Sequence, residues 1–186
     1  MRCYHTGHHK LPDPDIRIGR KNADFGQGFY LSPSDAFAGK WVRERKDLEA
    51  YVNAYELDLS GLRVLQLQRD EAWFDYLFRN RAGLPDRHGE YDLILGPIAN
   101  DTIYNTFGVF TSGLLPKEQV LSLLQIGPCY EQIVVKTERA RRQLRWLSSR
   151  RLDPSELSSL RESLLREEVQ YQQALAAAFE AFESEG

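Results

Sequence analysis

The stretch Asp24 to Leu31, DFGQGFYL, constrains this chain more than any other, because eight residues carry two glycines, three rings and an apolar end. Gly26 and Gly28 flank a single polar residue, and a backbone without Cβ there takes positive φ or lies close to a ligand. Phe29, Tyr30 and Leu31 follow as a short strand. Alternation sends Phe29 and Leu31 to one face and Tyr30 to the other, so the pattern predicts Tyr30 toward a cleft and its neighbours toward the core. Ser32, Pro33 and Asp35 then read as a helix start, with serine as cap and proline in the first helical position. A plain glycine turn before a buried strand is the alternative reading.

A chain of 186 residues is long enough for one domain and one appended element. We expect a domain over 1–150 and a C-terminal amphipathic helix over 151–186. The net charge of −3 gives no overall attraction to nucleic acid or membrane. No stretch approaches the roughly 18 apolar residues of a membrane span, and MRCYHTGHHK has no apolar signal region, so a cytoplasmic protein is expected. Cys3 and Cys129 fall in expected strands, where a reduced, buried thiol is the ordinary state. His8 and His9 follow Cys3 and His5, but no further ligand follows at metal-site spacing, and no metal is expected.

In chain order, Arg2 to His5 reads as a first strand that delivers His5 to its end, and Lys10 to Asn22 reads as a surface loop able to cover a ligand. A helix is expected from Pro33 to Arg45, with Phe37 and Trp41 on one stripe. Tyr51 to Leu59 alternates as a long strand, with Tyr51, Asn53, Tyr55 and Leu57 on one face. Leu62 to Leu67 is a further strand, Asp70 to Arg81 a helix, and Tyr91 to Leu95 a strand bearing Asp92. Helices are expected from Thr102 to Ser112 and from Pro116 to Leu124. Tyr130 to Lys136 is the last expected strand. Thr137 caps an expected helix carrying Arg139, Arg141, Arg142 and Arg145 around Leu144, Trp146 and Leu147, a solvated face or a phosphate contact. Asp153, Pro154 and Glu156 open a final helix whose stripe runs from Leu157 through Leu160, Leu164, Tyr171, Leu175 and Phe179 to Phe182. A terminal helix of this length must pack on the domain, on a second copy or on a partner, and we expect a partner or a second copy.

His5 in YHTG, Tyr30 in FGQGFYL and Glu131 in YEQIV resemble the His-Tyr-Glu signature of the ADP-ribosyltransferase fold shared by poly(ADP-ribose) polymerases and the diphtheria toxin group. YHTG, DFGQGFYLS, VNAYELD, YDLILGPIANDTIY and EQIVVKTERAR are similar to a small bacterial family of that fold, whose members are often encoded beside an antitoxin-like partner. The resemblance covers roughly Tyr4 to Leu147. It implies an α+β fold, with split antiparallel sheets around an NAD cleft and the C-terminal helix outside. It also implies NAD as substrate, a cofactor-binding set of His5, Thr6, Gly7, Gly26, Gly28, Tyr30 and Ser32, and a catalytic set of Glu131, Gln132 and Tyr30. In such families the histidine contacts the adenosine ribose, and the next residue, here Thr6, offers its backbone to the nicotinamide amide.

The residue types suit that chemistry. Breaking the nicotinamide–ribose bond develops positive charge on the sugar, which a carboxylate such as Glu131 stabilises, while a ring such as Tyr30 stacks on the departing base. Glu131 and Gln132 point to opposite faces, so one of them enters the cleft, and Glu131 is preferred because Ile133 and Val135 share its face. The expected activity is ADP-ribose transfer to a protein or nucleic acid, as a bacterial toxin restrained by an antitoxin. NAD hydrolysis is an alternative, as is a non-enzymatic module that binds nucleotide or docks a partner.

Overall fold

The computed structural model describes residues 1–42, 48–99 and 115–185. The helix expected over Thr102 to Ser112, and the end of the one expected over Pro33 to Arg45, lie outside them. Among the described residues, seven strands form two sheets. In the first, β3 (Tyr51–Leu57) lies between β1 (Arg2–Gly7) and β7 (Leu144–Arg151), all antiparallel. The second runs in the order β2 (Phe29–Leu31), β6 (Glu131–Val135), β5 (Leu93–Pro97), β4 (Val64–Gln66). This sheet is mixed rather than wholly antiparallel: β4 and β5 are parallel, joined by a crossover that carries a helix.

The helices are α1 (Asp35–Ala38), which continues into a 3-10 turn over Gly39–Trp41, then α2 (Glu71–Arg81), α3 (Lys117–Leu124), α4 (Glu138–Arg142) and α5 (Pro154–Glu185). Asp70 caps α2 by accepting from the Trp73 amide, and Thr137 caps α4 by accepting from Ala140. The helix expected to run past Arg145 stops at Arg142, and its second half is β7. The register opposite Ala54 and Tyr55 passes from Ser148 to Trp146, which leaves Leu147 as an extra residue. That bulge breaks the period of two, so three apolar residues within four positions imitate a helical stripe.

Two apolar layers result. Cys3, Tyr55 and Leu57 of the first sheet meet Leu31, Ile133 and Val135 of the second across the space between the sheets. On its other side the second sheet places Ile94 and Val134 under Trp73 and Leu77 of α2 and Leu123 of α3. The C-terminal helix completes that second layer, with Tyr171 2% and Leu175 5% exposed among the same side chains. Leu157 and Leu160 pack on Ala50, Val52 and Leu152. Of the stripe expected to meet a partner, Tyr171 and Leu175 are thus buried on the domain's own core, while Leu157, Leu160, Leu164, Phe179 and Phe182 are half-buried. No helix among the described residues is long and apolar enough to cross a membrane.

The glycine pair is set by close approach. Gly26 has φ of +73°, and a Cβ on Gly28 would lie 2.6 Å from Val134 Cγ1 and 2.7 Å from the Val135 carbonyl oxygen. From the burial of α5, Leu175→Ala is expected to lower unfolding stability by about 2–5 kcal/mol, and a chain ending at Leu152 to lose cooperative unfolding in urea. A truncated chain with a near-native urea midpoint would show the helix to be dispensable.

Candidate functional site

The side of the second sheet that carries Tyr30 is packed with the protein's own polar groups. Tyr30 stands opposite Val134 in register and shares its side with Gln132, while Glu131 lies on the other side. The Tyr30 phenol donates to the Gly26 carbonyl at 2.7 Å and accepts from the Phe25 amide at 2.9 Å. Lys136 donates to the Phe25 carbonyl and Asn80 to that of Asp24. Asp24 pairs with Arg81 at 2.8 Å, both side chains largely buried, and the amide of Gln132, 3% exposed, lies 3.4 Å from Asp24 and from the Pro97 carbonyl. Burial, reinforced by the Asp24 carboxylate, raises the Tyr30 phenol well above its ordinary value, so it stays a proton donor. Gly26, Gly28, Tyr30 and Gln132 therefore form the underside of the turn. The structure does not bring Tyr30 or Gln132 together with Glu131, because alternation along β2 and β6 separates them by the thickness of the sheet.

The space between the sheets holds a different set. Tyr4 and Ser32 exchange two backbone hydrogen bonds, each 2.8 Å, and join β1 to β2 at that point. Continued by two residues, the ladder would pair Thr6 with Tyr30. Instead the His5 ring Nδ1 sits 2.9 Å from the Tyr30 carbonyl, with the ring 4.6 Å from that of Phe29. A carbonyl oxygen only accepts, so Nδ1 carries the proton and Nε2 presents a lone pair. Burial lowers the His5 pKa against the opposing effect of that hydrogen bond, which keeps the ring neutral. A Cβ on Gly7 would lie 3.4 Å from Nε2, so glycine there leaves the nitrogen open.

Thr6 follows from the same ladder. The Leu57 amide donates to the Met1 carbonyl, so alternate β1 residues from Met1 point their backbone groups at β3, while Tyr4 points toward β2. Thr6, two residues beyond Tyr4, directs its N–H and C=O the same way, and among the described residues neither has a partner. Its side chain is buried, with a hydroxyl lacking a hydrogen-bond partner among those residues. Ser32 is fully buried and splices the sheets through its backbone bonds with Tyr4, while its hydroxyl accepts from the Ser34 amide; the cap of α1 is Ser34, which accepts from the Phe37 amide, rather than Ser32 as expected.

Glu131 stands at the start of β6 opposite Pro97, exposed, one register position beyond Gln132 and past the end of β2. Among the described residues it has no hydrogen-bond or ion-pair partner. It shares its side with Ile133 and Val135, and Val135 pairs with Phe29 beside the His5 ring. Four residues of strand separate that row from Glu131, roughly 13 Å. The loop after β1 lies over the first sheet, with Asn53 accepting from Leu11 and donating to His9, and Tyr55 donating to the Leu11 carbonyl. Ile16 is buried in the core between the sheets.

Other expected residues are tied elsewhere. Arg141 pairs with Asp13 and Glu138, and Arg145 with Glu56, so these arginines carry compensated charge. Cys3 is buried, its thiol pushed up to about 12 chiefly by burial, whereas Cys129 is exposed and outside any strand, contrary to expectation. Sequence reading missed a cluster beside Glu131. Tyr130 stacks on Phe37 with ring centroids 3.9 Å apart, its hydroxyl donates to Glu167 at 2.9 Å, and Lys40 pairs with Glu167. Residues separated by 90 and 127 positions in sequence leave no local signal.

The neutral His5 has a consequence for stability. Its folded pKa lies below the ordinary 6.5, so the unfolded chain binds the proton more readily, and His5's contribution is complete above 6.5 and lost as pH falls below it. The melting temperature is expected to drop between about pH 7.5 and pH 5, and to drop less in His5→Gln. Equal drops in both proteins, measured by circular dichroism, would remove His5 from this account.

No curated protein matches this chain. The profile of one family, described as proteins of unknown function under the label DUF3990, matches residues 1–146, and the chain belongs to that family.

Proposed function

We propose that this protein cleaves NAD at the edge where the two sheets part and transfers its ADP-ribose to a protein or nucleic acid acceptor. The observation that carries the reading is the backbone N–H and C=O of Thr6, without partners among the described residues, next to the His5 ring and on the same side of the structure as Glu131, whose carboxylate has no partner among those residues either. A carboxamide presents a carbonyl oxygen that accepts and an NH2 group that donates, which the N–H and C=O of a single residue can engage together. Nε2 accepts from a ribose hydroxyl. When the bond between the nicotinamide nitrogen and the ribose carbon breaks, its electron pair stays with the base and positive charge grows on the sugar, where the Glu131 carboxylate stabilises it. An acceptor nucleophile then bonds to that carbon. Tyr30 serves from behind, holding the glycine turn on which β2 rests. The resemblance to families encoded beside an antitoxin-like protein supports a toxin acting in the cytoplasm under a partner's restraint. Hydrolysis is the second reading, favoured by the exposure of Glu131, which admits water as acceptor.

Glu131→Gln keeps the shape of the side chain and removes its charge, so turnover is expected to fall about 100-fold or more. Affinity for NAD should change less than about tenfold, because the charge is met mainly in the transition state. Incubation with labelled NAD reads both, and label on macromolecules against free ADP-ribose separates transfer from hydrolysis. A folded wild-type chain with neither saturable NAD binding at millimolar concentration nor turnover would sink the reading.

A further inference from the structure

We propose that the C-terminal helix sets the working position of Glu131, through a clamp of Glu167, Lys40 and Tyr130. This rests on the NAD-cleaving reading above. Glu131 has no side-chain partner of its own among the described residues, so its place depends on its backbone. The residue before it is held on both sides. The Tyr130 carbonyl accepts from the Ile98 amide at 2.8 Å, its ring stacks on Phe37 with 15° between planes, and its hydroxyl donates to Glu167. Lys40 pairs with the other Glu167 oxygen, lies 3.4 Å from the Tyr130 hydroxyl and 5.4 Å from the ring centre, and sits in the 3-10 turn that packs against β1. One wall of the space between the sheets is thereby fixed to the other by a carboxylate from α5.

The clamp is enclosed, with Lys40 13% and Glu167 23% exposed. Burial alone would raise the Glu167 carboxyl, yet hydrogen bonds from Lys40 and Tyr130 hold it below the ordinary carboxylate range, so it is a charged acceptor at neutral pH. Glu167 lies beyond residue 146, where the family match ends. A helix outside the shared segment, held in place by its own share of the core, thus anchors the residue next to Glu131.

Breaking one member of an enclosed ion pair risks unfolding, whereas replacing both by apolar groups of similar volume is often neutral. The test therefore uses the full chain with Lys40→Met and Glu167→Met together, beside Tyr130→Phe, which keeps the ring and removes only the hydroxyl. For both, kcat for NAD cleavage is expected to fall, by at least about tenfold in the double variant, with KM within about threefold and melting temperature near that of wild type. A folded double variant with wild-type kcat overturns the clamp while leaving the NAD reading intact, as does a loss confined to KM. An inactive wild-type chain overturns both.

Discussion

The architecture turns on the place where β1 and β2 stop pairing. Tyr4 and Ser32 exchange two backbone bonds, and two residues later the Tyr30 carbonyl goes to the His5 ring instead of the Thr6 amide. A hydrogen bond contributes only about 1 kcal/mol net, so exchanging one donor for another costs little. The structural effect is larger than the energy. The two sheets part, a backbone donor and acceptor are left at the edge, and the histidine tautomer is fixed by the group it captured. One side chain thus ends a ladder and furnishes the opening with polar groups.

The glycine stretch supports this arrangement from the far side of the second sheet. Asp24 with Arg81 is an enclosed ion pair below the turn, and the largely buried Lys136 reaches the exposed Asp86 at 2.9 Å. Removing one member of such a pair costs about 3–5 kcal/mol, although a well-packed apolar replacement of the whole is often no less stable. Specificity of geometry is the better account of their presence. Asp24, Phe25 and Gly26 each offer a carbonyl to a side chain below, so the turn has one conformation in which all are satisfied. The exposed pairs on α4 and β7 add little by comparison, since solvent screens them.

Much of this was legible in the sequence. The α2 and α3 helices, the long strand β3 and the start of α5 at Pro154 follow from periodicity and helix-start residues, and alternation correctly places Glu131 and Gln132 on opposite sides. Two things were not legible, for different reasons. The strand β7 hides behind a bulge at Leu147, because a single extra residue destroys the only signal that a strand has. Tyr30 was expected in the cleft because alternation says that two faces differ but not which one is open. That is decided by α2, α3 and α5, which cover the Tyr30 side from more than forty positions away.

The C-terminal helix shows why local reading and tertiary structure part company. Its stripe looks like a docking surface because nothing adjacent in sequence needs it, whereas Trp73, Phe74 and Leu123 lie under Tyr171 and Leu175. Burying two such side chains contributes about 3–6 kcal/mol by area, a large share of the margin by which a domain is stable. A helix that supplies this much of the core cannot move far without the domain yielding. The polar contacts along it, Glu167 above all, therefore have a fixed position relative to β6, and this makes a carboxylate from outside the family segment a reliable anchor for the residue next to Glu131.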